Sequence, residues 1–82
     1  MDNKLIGSLL FETNDLGIAT WLKFKGMEIR TMIKDRGKTK FVFMDKPERK
    51  EWVRDYFNGK AMVDALTYKN LLRDLKVFTL SN

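Results

Sequence analysis

The chain has 82 residues, with no cysteine, no histidine and a formal net charge of +5. A chain without cysteine cannot be a disulfide-stabilised secreted scaffold, and one that also lacks histidine is a poor candidate for a zinc site or a Ser-His or Cys-His nucleophile. No apolar stretch approaches the roughly 20 residues that a membrane helix needs, and the first residues do not form a signal-peptide pattern. We therefore expect a single cytoplasmic domain over residues 1–82.

A strand and a helix are predicted first. Residues 5–13 contain a dense run of large apolar side chains, which predicts a strand buried on both faces or at the centre of a sheet. Thr13 or Asn14 can cap a helix over residues 15–25, in which apolar side chains recur at helical spacing. Gly26 follows two lysines and is the expected end of this helix.

A β-hairpin is predicted next. Residues 28–34 alternate in character, residues 35–38 form a turn around Gly37, and residues 39–44 form the partner strand. Strict alternation places Ile29, Ile33, Phe41 and Phe43 on a buried face. The opposite, solvated face would then carry Arg30, Met32, Lys34, Lys40, Val42 and Met44.

Two helices complete the prediction. Asp45 begins the second one, with Glu48 completing a capping box, and Asn58-Gly59 ends it. Asp64 caps the third, whose apolar stripe consists of Tyr68, Leu71, Leu72 and Leu75. The order β-α-β-β-α-α predicts a small two-layer α+β domain, with a three-stranded sheet and the helices on one face.

Four short motifs occur in a recognisable order: F-E-T-N-D-L at residues 11–16, F-V-F at 41–43, Y-F-N-G at 56–59 and L-R-D-L-K at 72–76. This ordered set resembles a family of small bacterial and phage domains of unknown function. The resemblance implies a phage or another mobile element as the source, and a connection with DNA handling or host takeover. It implies no activity and no functional residues.

The positive charge is concentrated between residues 23 and 40. This segment contains seven basic residues and only two acidic ones, Glu28 and Asp35. A basic two-stranded ribbon can follow a phosphate backbone or enter a major groove. A solvated face whose charges protect strand edges from aggregation explains the same pattern. On the first interpretation, the residues that contact DNA or RNA are Arg30, Lys34, Arg36, Lys38 and Lys40.

Other functions fit the sequence as well. An inhibitor or modulator of a host enzyme or defence complex, comparable to anti-CRISPR proteins, would bind its target through exposed apolar residues near Trp21, Met32, Val42 and Met44. Trp21 also falls beside the apolar stripe of its helix, which favours core packing over exposure. A structural homodimer joined at open sheet edges is a third alternative, in place of a monomer.

No pattern in the chain indicates catalysis. The sequence has no D-x-D pair, no calcium-loop pattern and no phosphate-binding loop. Asp15, Asp45 and Asp64 already occupy positions suited to helix capping. We therefore expect a binding protein that has no enzymatic activity and needs no cofactor or metal.

Overall fold

The computed structural model describes residues 9–80 as three strands and three helices. The α+β class and the order β-α-β-β-α-α are confirmed. Of the first predicted strand, residues 5–8 lie outside the described residues. In chain order the elements are β1 (Leu10–Thr13), α1 (Leu16–Phe24), β2 (Ile29–Asp35), β3 (Lys38–Met44), α2 (Arg49–Phe57) and α3 (Ala65–Leu80).

The three strands form one antiparallel sheet with β3 in the centre. β1 pairs with β3 from Leu10 opposite Met44 to Thr13 opposite Phe41, and β2 pairs with the other side of β3. Phe41 and Phe43 share one face of the central strand and are 1% and 0% exposed. β1 and β2 each keep one edge without a strand partner in this sheet. The prediction that the first strand is central or buried on both faces is therefore wrong, since β1 is an edge strand whose residues are exposed or half-buried.

Helix α1 packs on the sheet face that carries the two phenylalanines. Its Ala19 and Leu22 side chains have no exposed surface, and α2 and α3 pack against the same cluster. Burial of each large apolar side chain contributes roughly 1.5–3 kcal/mol. The helices therefore lie on one face of the sheet, as predicted. The buried cluster consists of Ile18, Ala19, Trp21, Leu22, Met27, Phe41, Phe43 and Leu75.

The cap of α3 is Asp64, as predicted. The cap of α1 is Asp15 and not Thr13 or Asn14, because the helix begins at Leu16. The Asp15 carboxylate accepts a hydrogen bond of 2.9 Å from the backbone N–H of Ile18 at the start of α1. Asp64 accepts one of 2.9 Å from the backbone N–H of Thr67 at the start of α3. Gly26 follows α1 with a φ of 98°, a conformation that glycine adopts without strain.

The start of α2 differs from the prediction. The helix begins at Arg49, and Glu48 at its N-cap makes no side-chain capping hydrogen bond. Asp45 lies too far upstream to cap the helix, and its carboxylate instead accepts two hydrogen bonds from the Arg49 guanidinium, of 3.0 and 3.1 Å. That guanidinium lies 4.1 Å from the centre of the Phe11 ring, so it connects α2 to β1.

Helix α3 is held against α1 by aromatic side chains. The Tyr68 hydroxyl donates a hydrogen bond of 3.3 Å to the carbonyl oxygen of Gly17, and its ring meets that of Phe24 edge-on at 6.4 Å. The Tyr56 hydroxyl of α2 lies so close to Gly17 that a Cβ atom there would collide with it. The first turn of α1 is therefore the point where the other two helices meet it.

Candidate functional site

The hairpin between β2 and β3 ends in the two-residue turn Arg36-Gly37, with Asp35 paired to Lys38. The φ angles of the turn residues are 56° and 82°. Two positive φ angles define the type I′ turn, whose twist matches that of the flanking strands. The predicted turn is confirmed, and it leaves the Arg36 side chain exposed at the tip.

A β-bulge at Arg30 changes which side chains of β2 face the helices. Ile29 lies opposite Phe43 and Thr31 lies opposite Val42, so Arg30 is an extra residue in β2. A residue inserted in this way reverses the alternation of every side chain that follows it in the strand.

The reversal corrects the predicted faces of the hairpin. Met32 lies opposite Phe41 and packs against the core, whereas Ile33 lies opposite Lys40 and is 46% exposed. The prediction that Ile33 is buried and Met32 faces solvent is therefore wrong. Strict alternation assumes an uninterrupted ladder, and the bulge breaks it.

Lys34 is also placed differently from the prediction. It follows the reversed alternation and lies opposite the buried Thr39, on the side of the helices. Its Nζ atom donates a hydrogen bond of 2.6 Å to the carbonyl oxygen of Thr79 in the last turn of α3. Since helix C-termini carry partial negative charge, this cation is well placed there. Lys34 does not belong to the basic face.

The sheet face turned away from the helices, called the outer face below, keeps the other predicted cations. Lys38 and Lys40 lie on it by alternation with Thr39 and Phe41 in β3. The Arg30 guanidinium reaches Met44 on the same face, at 3.6 Å from its sulfur. By strand register the outer face carries Leu10, Glu12, Thr31, Ile33, Asp35, Lys38, Lys40, Val42 and Met44.

The residues predicted to bind a partner protein are largely buried. Trp21 is 3% exposed, its ring stacks on that of Phe24, and its Nε1–H donates to the carbonyl oxygen of Trp52. Val42 is 3% exposed at the centre of the outer face. Met32 packs inward, and Met44 is half-buried. These residues do not form an exposed apolar contact surface, so that prediction is wrong.

Exposed apolar side chains are found elsewhere, mainly along α3 and the connector before it. The sequence contained a signal for them, because the α3 segment has more large apolar residues than its inward stripe can accommodate. The predicted inward stripe of α3 includes only some of the large apolar residues in that helix. The exposed ones are Phe57, Met62, Val63, Leu66, Val77, Phe78 and Leu80.

The titratable groups with shifted pKa values have structural causes. The hydrogen bonds from Arg49 lower the pKa of Asp45, and those from Thr67 lower the pKa of Asp64. Burial raises the pKa of the Tyr68 phenol. Within residues 9–80 no three acidic side chains converge where a metal ion could bind. None of the three helices has the length and apolar character needed to cross a bilayer.

The chain belongs to a family described as a domain of unknown function, DUF5659, whose model matches residues 8–81. The resemblance to a family of uncharacterised small domains is thus confirmed. No curated protein and no solved structure matches the chain. An inference about function has to start from the surface described above.

Proposed function

We propose that this protein is a non-enzymatic nucleic-acid-binding protein whose β2–β3 hairpin contacts the phosphate backbone of DNA or RNA. The observation that carries the proposal is a group of exposed cations on the outer face and at the tip of the hairpin. Phosphate contacts require exposed cations and no particular base sequence, so we expect binding without sequence specificity. The contact residues are Arg30, Arg36, Lys38 and Lys40.

Two acids on the outer face reduce the positive charge without cancelling it. The Glu12 carboxylate lies 3.5 Å from Lys40 Nζ, and the two side chains are 52% and 51% exposed. Asp35 lies opposite Lys38 beside the tip. Ion pairs at such exposure contribute at most about 1 kcal/mol. A phosphate can therefore replace Glu12 as the partner of Lys40 with little loss of stability.

The side chains of the outer face favour duplex over single-stranded nucleic acid. Among the described strand residues, those on the outer face include no aromatic side chain on which an unpaired base could stack. A two-stranded ribbon fits the width of a duplex major groove. We expect the hairpin to lie along a duplex backbone or in its groove.

The proposed setting is the cytoplasm of a prokaryotic cell, with the gene carried by a phage or another mobile element. The resemblance of the four sequence motifs supports this setting. The net charge of +5 also suits a protein that works beside a polyanion.

Fluorescence anisotropy with a labelled duplex of about 20 base pairs tests the proposal, with single-stranded DNA and duplex RNA compared at equal length. Four phosphate contacts on a duplex give a slope of about −3 to −4 in a plot of log affinity against log salt concentration. Replacing Arg36, Lys38 and Lys40 together with alanine should weaken binding about tenfold or more and make the slope shallower.

A matched control separates a local contact from a general effect of charge. The control variant Lys23→Ala/Lys50→Ala/Lys60→Ala also removes three exposed lysine charges, but outside the hairpin. Its affinity should stay within about threefold of the parent protein. Equal losses in the two variants, or no binding by the parent protein at about 50 mM salt, would overturn the proposal.

A further inference from the structure

Helix α3 has a second apolar stripe on the side turned away from the core. Leu66, Val77 and Leu80 are 66%, 61% and 73% exposed. At 3.6 residues per turn, offsets of 7, 11 and 14 residues return to nearly the same side of a helix, so these residues and Arg73 lie along one line. This outer stripe (Leu66, Arg73, Val77 and Leu80) is about 21 Å long.

Positive charges border the outer stripe. Lys69 and Lys76 are exposed beside it, and Arg73 lies at its middle. The only acid in α3 is Asp74, whose carboxylate is 3.9 Å from Arg73 Nε, with the two side chains 70% and 66% exposed. A pair this long and this exposed neutralises little of the charge. The stripe is therefore apolar with a basic border.

We propose that the outer stripe is a docking surface for an acidic amphipathic helix of a partner protein. Such a helix would cover Leu66, Val77 and Leu80 with its own apolar stripe and direct Asp or Glu side chains to Lys69, Arg73 and Lys76. Helix pairs of this kind bury a narrow apolar seam and use charges beside it to select the partner. Charge complementarity identifies the partner helix as acidic.

A second copy of this chain is a poor occupant of the same surface. Arg73 lies midway between Leu66 and Leu80, so symmetric pairing of two α3 helices brings Arg73 opposite Arg73 in both the parallel and the antiparallel arrangement. Lys69 and Lys76 add further repulsion between like charges. An acidic helix removes this repulsion and turns each contact into an attraction.

A lipid surface and a nucleic acid fit the stripe less well than a helix does. Membrane-surface helices bind through a broad apolar face, because binding strength grows with the apolar area buried. On this side of α3, Leu66, Val77 and Leu80 form one narrow line that Arg73 interrupts. A phosphate backbone offers no apolar surface to Leu66, Val77 and Leu80. Only a protein helix matches both the apolar and the basic components of the stripe.

The test measures binding of two designed helical peptides to the full chain by fluorescence anisotropy. Both peptides are about 21 residues long with leucine at heptad positions a and d, and they differ in carrying Glu or Lys at e and g. The acidic peptide should bind about tenfold or more tightly than the basic one, and its affinity should fall with added salt. Equal affinity for the two peptides would overturn the proposal.

Variants of the full chain locate the contact. Leu66→Ala/Val77→Ala/Leu80→Ala should lose about tenfold or more in affinity for the acidic peptide. Arg73→Glu should reduce the preference for the acidic peptide, because Lys69 and Lys76 are then balanced by two acids. These positions are exposed, and alanine is a good helix former, so circular dichroism should show an unchanged fold. Unchanged peptide binding by the alanine variant would overturn the proposal.

Further measurements test whether the hairpin, a second copy of the chain or a lipid surface accounts for binding at α3. Arg36→Ala/Lys38→Ala should leave peptide binding unchanged, since neither residue lies on α3. If analytical ultracentrifugation finds a dimer that the α3 alanine variant abolishes, the occupant is a second copy and the proposal is wrong. It is equally wrong if the protein sediments with vesicles of phosphatidylserine and phosphatidylcholine through the same residues and does not discriminate between the peptides.

Discussion

The indole N–H of Trp21 donates a hydrogen bond of 2.8 Å to the backbone carbonyl oxygen of Trp52. The bond joins α1 to α2 and satisfies the only polar atom of a side chain that is 3% exposed. The Lys25 ammonium lies 5.4 Å and 5.3 Å from the centres of the two indole rings, close enough for cation–π attraction to both. The pair is thus a structural junction between two helices, although tryptophan is common at binding surfaces.

We expect Trp21→Phe to lower the free energy of unfolding by about 2 kcal/mol or more, because the substitution removes buried volume and the hydrogen bond to the Trp52 carbonyl. Trp52→Phe is the matched control, since the backbone acceptor remains, and it should cost less than about 1 kcal/mol. Urea unfolding followed by circular dichroism measures both values. Similar losses in the two variants would show that the hydrogen bond is unimportant.

Because of the β-bulge, alanine substitutions at the neighbouring residues Met32 and Ile33 should differ in how much they destabilise the fold. Met32→Ala should lower the free energy of unfolding by about 2 kcal/mol, because the side chain packs against Phe41 and the core. Ile33→Ala should cost less than about 1 kcal/mol, because that side chain is 46% exposed. Thermal and urea unfolding of both variants check this. Strict alternation along β2 predicts the reverse order.

Gly17 should tolerate no side chain while Tyr56 keeps its hydroxyl. Gly-to-Ala changes inside helices usually stabilise by up to about 1 kcal/mol, but here the new Cβ atom collides with the Tyr56 hydroxyl. We expect Gly17→Ala to lower the free energy of unfolding by about 1–2 kcal/mol. Adding Tyr56→Phe should recover part of this loss, and a double-mutant cycle measures how much. Purely additive effects would argue against the collision.

The ion pair between Asp45 and Arg49 should make stability depend on pH. Because the pKa of Asp45 is lower in the folded chain, the pair stabilises the fold above the pKa of an unfolded carboxyl, about 3.9, and the contribution is lost as the pH falls through the folded-state value. Asp45→Asn should therefore cost about 1–2 kcal/mol at pH 7, since the Asp45 side chain is only 12% exposed, and much less near pH 2.

The control for this ion pair is Asp74→Asn. Its carboxylate is 70% exposed and 3.9 Å from Arg73, so the change should stay below about 0.5 kcal/mol at both pH values. Urea unfolding at pH 7 and near pH 2 gives the comparison. A loss from Asp45→Asn that is the same at both pH values would contradict a role for its charge.

Local signals in the sequence were sufficient to predict most of the fold. Asp15, Gly26 and Asp64 mark helix ends by short-range chemistry that involves only neighbouring residues, and the structure confirms all three. Gly37 marks the hairpin turn for the same reason. The order of elements followed from these signals together with the apolar periods.

The start of α2 is a local error, since Asp45 and Glu48 do not form the predicted capping box. The other errors involve relations between residues distant in the chain. The bulge at Arg30 depends on how β2 pairs with β3, and nothing in the alternation of β2 alone reveals it. The same bulge places Lys34 on the side of the helices, where its Nζ atom donates to the Thr79 carbonyl in the last turn of α3. The burial of Trp21 agrees with the core packing that its helix position favoured, but its hydrogen bond to the Trp52 carbonyl of α2 could not be predicted from α1 alone. The outer face thus carries Lys40 as predicted, and Lys38 in addition, but not Lys34.

The extra residue at Arg30 also determines how this chain should be matched to other members of its family. A relative with one residue fewer in β2 would have an uninterrupted ladder, and its inward and outward positions beyond residue 30 would be exchanged relative to this chain. If the alignment places the gap elsewhere in the hairpin, residues that pack in the core of one chain are aligned with solvent-facing residues of the other. For any relative that is one residue shorter in β2, the alignment should place the gap at Arg30 and compare the cations after it by the face they occupy.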